Sequence, residues 1–151
     1  MSSVTRTYFM LSVTDMARAV TFYREVLGPV IRHESDTWSE LKLGEATVAL
    51  HASEQPNPKH TGLAAEVTDL YTAYHSVLTF GGQVLAGPTA DALGQLSYEV
   101  ADTEGNVFTL AGPLPSTAAS PIAAEVPPPS PPPTPPPAGA PGEVREIPEQ
   151  P

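Results

Sequence analysis

Residues 12–28 read SVTDMARAVTFYREVLG, and residues 66–82 read EVTDLYTAYHSVLTFGG. The two stretches share Val-Thr-Asp at an offset of 54 residues, and the correspondence runs on through Met16/Leu70, Ala19/Ala73, Val20/Tyr74, Val26/Phe80 and Gly28/Gly82. Before each aspartate every second residue is apolar, Phe9, Leu11, Val13 and Leu63, Ala65, Val67, which is the pattern of a half-buried strand. After each aspartate the apolar residues recur at three and four, which predicts a helix with one buried stripe. Asp15 and Asp69 are suited to cap those helices, because a short carboxylate accepts the unpaired N–H groups of a first turn. Gly28 and Gly81-Gly82 supply the stops. Short alternating segments follow each helix: Val30 to His33, Trp38 to Leu43 and Ala46 to His51, then Gln83 to Leu85, Leu96 to Val100 and Val107 to Leu110. Each half therefore reads strand, helix, strand, strand, strand, and a pair of such βαβββ modules implies an α+β domain with curled mixed sheets around a cleft.

The rest of the composition sets the boundary of this repeat. The chain has 151 residues, 19 prolines, no cysteine and a net charge of −10. Fifteen of the prolines fall between Pro113 and Pro151. The expected organisation is one domain over residues 1–112, built of modules 5–53 and 60–112, and a proline-rich disordered tail over 113–151. The run PPPSPPPTPPP from Pro127 favours polyproline II, since proline fixes φ and lacks an N–H. A spacer is the default reading of such a tail, and a peptide for an SH3- or WW-like aromatic groove is the alternative.

Both parts are acidic, −7 and −3, so neither offers the basic footprint of a nucleic-acid partner. The absence of cysteine excludes a disulfide framework, a thiolate zinc site and a cysteine nucleophile, and points to the cytoplasm. No apolar run approaches the ~20 residues that span a bilayer, and no secretory leader is recognisable, so no membrane association is expected.

The two quoted stretches, together with DTEGNVFTL at 102–110, resemble the vicinal oxygen chelate superfamily, which holds glyoxalase I, extradiol dioxygenases and bleomycin-resistance binding proteins. The resemblance covers about residues 5 to 112. It implies a divalent-metal site in the metal-dependent members, whose ligand positions correspond here to Tyr8, about Ala49, Gly62 and Thr109. None of these is an imidazole, carboxylate or carboxamide, so the lone-pair donors that a divalent ion needs are missing. No cofactor is expected on that ground. An offset set, His51 and His60 with Glu66 or Glu99, is the alternative, and it would serve a lyase, isomerase or dioxygenase. His33 and His75 read as a strand-end residue and a solvated helix face.

Strand parity assigns the opposite wall. If Phe9, Leu11 and Val13 pack under the helices, then Tyr8, Met10 and Ser12 face the cleft, with Trp38, Glu40 and Lys42, with Thr47, Ala49 and His51, with Gly62, Ala64 and Glu66, and with Val107 and Thr109. Tyr98 is expected under the second helix, which leaves Ser97 and Glu99 on the cleft side. The candidate ligand-binding set is Tyr8, Met10, Trp38, Ala49, His51, Glu66, Glu99 and Thr109. This wall suits a planar or amphipathic organic molecule held by stacking. Trp38 is its principal aromatic, with a core or dimer-interface role as the alternative. The reading leans away from an enzyme and toward a metal-independent small-molecule binder that sequesters a drug or metabolite; no Ser-His-Asp order, phosphate loop or HExxH helix is present. A scaffold whose tail recruits a partner is a third possibility. The resemblance also implies a homodimer, with half-domains exchanged through the segment Ser53 to Thr61.

Overall fold

A computed structural model describes residues 1–55 and 57–113. The expectations for the proline-rich tail and its SH3- or WW-like docking lie outside the described residues, as does Pro56 of the connector.

The first module runs β1 (Phe9–Val13), α1 (Met16–Leu27), β2 (Val30–His33), β3 (Trp38–Leu43) and β4 (Ala46–Ala52). The second runs β5 (His60–Glu66), α2 (Leu70–Thr79), β6 (Gln83–Ala90), β7 (Gln95–Ala101) and β8 (Val107–Pro113). Both predicted caps form: Asp15 accepts the backbone N–H of Arg18 at 3.0 Å and Asp69 that of Thr72 at 2.9 Å. The Thr72 backbone and hydroxyl bonds hold the Asp69 carboxyl below its ordinary value. Helix α1 stops at Gly28, which takes a left-handed φ of 58° that a side chain would resist. Helix α2 stops one residue before the expected glycines, at Phe80. β6 runs to Ala90 rather than Leu85, and β5 begins at His60, which shortens the connector between modules.

The sheets have the orders β1-β4-β3-β2 and β5-β8-β7-β6, each with one parallel pair, β1 with β4 and β5 with β8. One core lies between the sheets and the helices. It takes Leu11 and Val13 from β1, Leu41, Val48 and Leu50 from β3 and β4, Phe22, Tyr23 and Val77 from the helices, and Tyr98, Val100, Phe108 and Leu110 from the second sheet. Burial of this apolar surface is the main stabilising term. The parity of the sequence holds: Tyr98 is buried 5.0 Å from the ring of Tyr74 on α2.

The modules are joined by polar contacts at one seam. Tyr23 of α1 donates its hydroxyl to Asp102 at 2.8 Å, and Asn106 donates its amide to the backbone carbonyl of Ser12 at 3.1 Å. Burial, reinforced by the Asp102 carboxylate, raises the Tyr23 hydroxyl well above its ordinary pKa, so it stays a donor. Among the described residues no helix is long and apolar enough to cross a membrane.

Candidate functional site

The face of the first sheet away from the helices carries an aromatic and polar cluster. Sheet register sets its rows: Met10 pairs with Ala49, Ala49 with Glu40, and Glu40 with His33, while Ser12 pairs with His51 and His51 with Trp38. Tyr8 immediately precedes β1 and extends the same parity. Its ring meets Trp38 edge to face with centroids 6.2 Å apart. The Trp38 indole N–H donates to Glu40 Oε1 at 3.0 Å, and the Arg6 guanidinium donates to the same oxygen at 2.9 Å. Arg6 also lies over the Tyr8 ring, 4.8 Å from its centroid. The Arg6 hydrogen bond, and after it the Trp38 one, holds the Glu40 carboxyl below the usual carboxylate range, and Glu40 correspondingly raises Arg6.

Ala49 is completely covered, yet it is not among the side chains packed under the helices. As a methyl group between Met10 and Glu40 it forms the floor of the cluster. Beside it, Ser12 Oγ and His51 Nε2 lie 2.9 Å apart. Which of the two donates depends on the imidazole tautomer.

The corresponding face of the second sheet is separate and more acidic. Ala64 pairs with Thr109 and Thr109 with Glu99; Glu66 pairs with Ala111 and Ala111 with Ser97. Glu66 accepts the Gln95 amide at 2.7 Å, and Glu99 lies 3.5 Å from His60 Nδ1. A recess of about 220 Å3 is lined by His60, Gly62, Ala64, Glu99, Val107 and Thr109 together with Leu63 and Phe108. The candidate residues thus divide. Tyr8, Met10, Trp38, Ala49 and His51 gather on the first sheet; Glu99 and Thr109 line the recess on the second, and Glu66 stands one row away, engaged with Gln95.

These residues do not fit a divalent ion. Tyr8, Ala49, Gly62 and Thr109, at the positions that the resemblance marks for ligands, offer no imidazole, carboxylate or carboxamide. Gly62 has φ 72° inside an irregularity of the β5–β8 register between His60 and Ala64, a backbone that a ligating side chain would strain. The offset set does not assemble either, since His51 is bonded to Ser12 on the first sheet and His60 stands beside Glu99 on the second. Among the described residues no three His, Cys, Asp or Glu side chains converge.

Arg6 is the member of this cluster that the parity reading did not name. Its signal was available: positions 6, 8, 10 and 12 share one face if the alternation is carried two residues before Tyr8.

Comparison with known proteins follows the same outline. The sequence profile of the family described as Glyoxalase/Bleomycin resistance protein/Dioxygenase superfamily matches residues 6–110. The hypothetical protein SA1046 from S. aureus superposes with a TM-score of 0.61 at 22% identity, over 74% of this chain and 95% of that one. A glyoxalase-related enzyme from Fulvimarina pelagi gives 0.60 at 19% identity, over 72% and 88%. A glyoxalase/bleomycin resistance protein/dioxygenase family enzyme from Burkholderia phytofirmans PsJN gives 0.59 at 18%, over 71% and 97%. At such identities the likeness is one of fold. No curated protein matches the chain.

Proposed function

Because the chain belongs to the Glyoxalase/Bleomycin resistance protein/Dioxygenase superfamily, we propose that it is a small-molecule-binding protein that holds an organic ligand on the open sheet faces without a divalent ion. The carrying observation is the exchange of donor chemistry for aromatic chemistry on one face. Of the four positions that the resemblance marks for metal ligands, Gly62 and Thr109 lie on the second sheet, while Tyr8 and Ala49 lie on the first, where Tyr8 and Trp38 form a ring pair with polar groups at its edge. Two rings supply area and stacking, and Glu40, Ser12 and His51 supply orientation, which is the composition of a ligand pocket rather than of a hydrolytic or redox centre.

Sequestration of a drug or metabolite in the cytoplasm, as a homodimer, is the role this reading assigns. The test is a thermal-shift screen of aromatic compounds with and without EDTA, run beside metal analysis of the purified protein. Stabilising compounds are expected, their shifts unchanged by EDTA and reduced in Trp38→Ala. Stoichiometric Fe, Mn, Ni or Zn whose removal abolishes the shifts would overturn the reading.

A further inference from the structure

We propose that Tyr8, Trp38 and Glu40 form a receptor for a planar organic cation of the guanidinium or amidinium class, and that Arg6 of the chain's own N-terminal arm occupies it as an internal placeholder. The proposal rests on the small-molecule reading above and names the chemistry of its ligand.

The arm before β1 forms no helix or strand, and its Arg6 side chain is half exposed. Nevertheless the guanidinium makes the contacts of a bound ligand: it covers the Tyr8 ring at 4.8 Å and donates to Glu40 at 2.9 Å. Trp38 closes the edge and turns its own N–H onto the same Glu40 oxygen. A cation over an aromatic face beside a carboxylate is favoured twice, by the ring quadrupole and by a charge-assisted hydrogen bond.

Three features favour exchange of Arg6 for a free cation. An ion pair whose cation is half exposed, on a segment outside the helices and strands, is weakly held, because its Coulomb gain is screened and it orders a long side chain. A cation replaces Arg6 like for like, leaving Glu40 partnered and the Tyr8 face covered, whereas an anion would strip Arg6 from Glu40 and stand beside an unpaired carboxylate. Finally, among the described residues only Oε1 of Glu40 accepts a hydrogen bond, from Arg6 and Trp38 together. Oε2 is therefore available to the second N–H of a forked donor, a geometry that guanidinium and amidinium groups supply and a neutral ring does not. The −7 charge of residues 1–112 attracts such ligands at long range.

Trp38 is the single tryptophan of the chain, so its fluorescence reports on this face alone. Benzamidine is titrated against wild type, Arg6→Ala and Glu40→Gln, with benzamide and benzoate as neutral and anionic analogues. Benzamidine is expected to perturb Trp38 emission, to bind several-fold more tightly in Arg6→Ala, where the competent state no longer has to be vacated, and to bind roughly tenfold more weakly in Glu40→Gln. Benzamide should give little response. Equal benzamidine affinity in all three proteins, no response in Arg6→Ala, or preferential benzoate binding that Arg6→Ala abolishes would overturn the proposal. If benzamidine fails while neutral aromatics still bind through Trp38, the small-molecule reading survives without the cation; if nothing perturbs Trp38, both fall.

Discussion

Glu104, in the turn between β7 and β8, accepts the backbone N–H of Thr14 at 2.8 Å and its hydroxyl at 2.7 Å, 90 residues away in the chain. It also receives the Asp15 backbone N–H at 3.3 Å and the Arg18 guanidinium at 2.8 Å, with its own side chain only 4% exposed. The second module thereby caps the first module's helix, which Asp15 alone would satisfy only in part.

Burial pushes the Glu104 carboxyl up, but the bonds from Arg18, Thr14 and Asp15 outweigh it and leave the group below its ordinary 4.5. As pH falls the unfolded chain takes up its proton first. The contribution to stability is thus complete above about pH 4.5 and is lost as pH drops through the lower folded value. Glu104→Gln is expected to lose about 1–3 kcal/mol at pH 7. In urea unfolding the gap from wild type should narrow at pH 3; a gap independent of pH would count against the assignment.

Tyr23→Phe removes the donor to Asp102, whose other carboxylate bonds come from the backbone N–H groups of Glu104 and Asn106 and from the Asn106 amide. Asp102 is buried, so the lost partner should cost about 1–3 kcal/mol, seen as a fall of several degrees in Tm. Because the pair bridges the modules, an unchanged Tm would mean that the seam is held elsewhere.

Gly82→Ala should be worse than a surface change of the same size. A methyl group there would sit 2.6 Å from the Ala101 carbonyl oxygen and 2.6 Å from Phe22 Cε2. Backbone must move to relieve the first contact, and overpacking of this kind costs about 1–3 kcal/mol. Calorimetry of the variant, with Gly28→Ala as a comparison in open space, separates the steric cost from the backbone one.

Trp38→Ala should leave the fold nearly as stable, because the ring lies on the face opposite the core, while aromatic ligands lose affinity. Sedimentation of the same variant tests the interface alternative. Wild type is expected to be dimeric at micromolar concentration, and a variant that dissociates while keeping ligand affinity would move Trp38 from the cleft to the subunit contact.

Much of this architecture is legible in the sequence. The 54-residue repeat located both helices, both aspartate caps and the starts of β2, β3, β4, β6 and β8, and alternation placed Leu41 beneath the helices and Trp38 on the other face. These features are local: they follow from the side-chain periods of strands and helices and from unpaired donors at a helix start. The candidate site was less legible. Parity put Tyr8, Trp38 and Glu40 on one face, and carried two residues further it adds Arg6 to that face, but it could not tell that the guanidinium would bond Glu40, nor that the irregularity at Gly62 would interrupt the period of β5.

The repeat makes the two halves look equivalent in sequence, and docking makes them different. The turn after β7 has five residues, Asp102 to Asn106, and fills its seam against Ser12, Thr14 and Asp15. The matching turn after β3 has two, Gly44 and Glu45, and a groove of about 310 Å3 lies there between Leu27, Val30, Leu43 and the segment Leu63 to Val67. Sequence alone determined the βαβββ duplication, which is written in residue type and spacing, and it shows no imidazole, carboxylate or carboxamide at the four positions that the family resemblance marks for metal ligands. Which module clamps the other, and that Glu40 holds the Arg6 guanidinium beside Trp38, depended on contacts between residues far apart in the chain, whose approach no local period encodes.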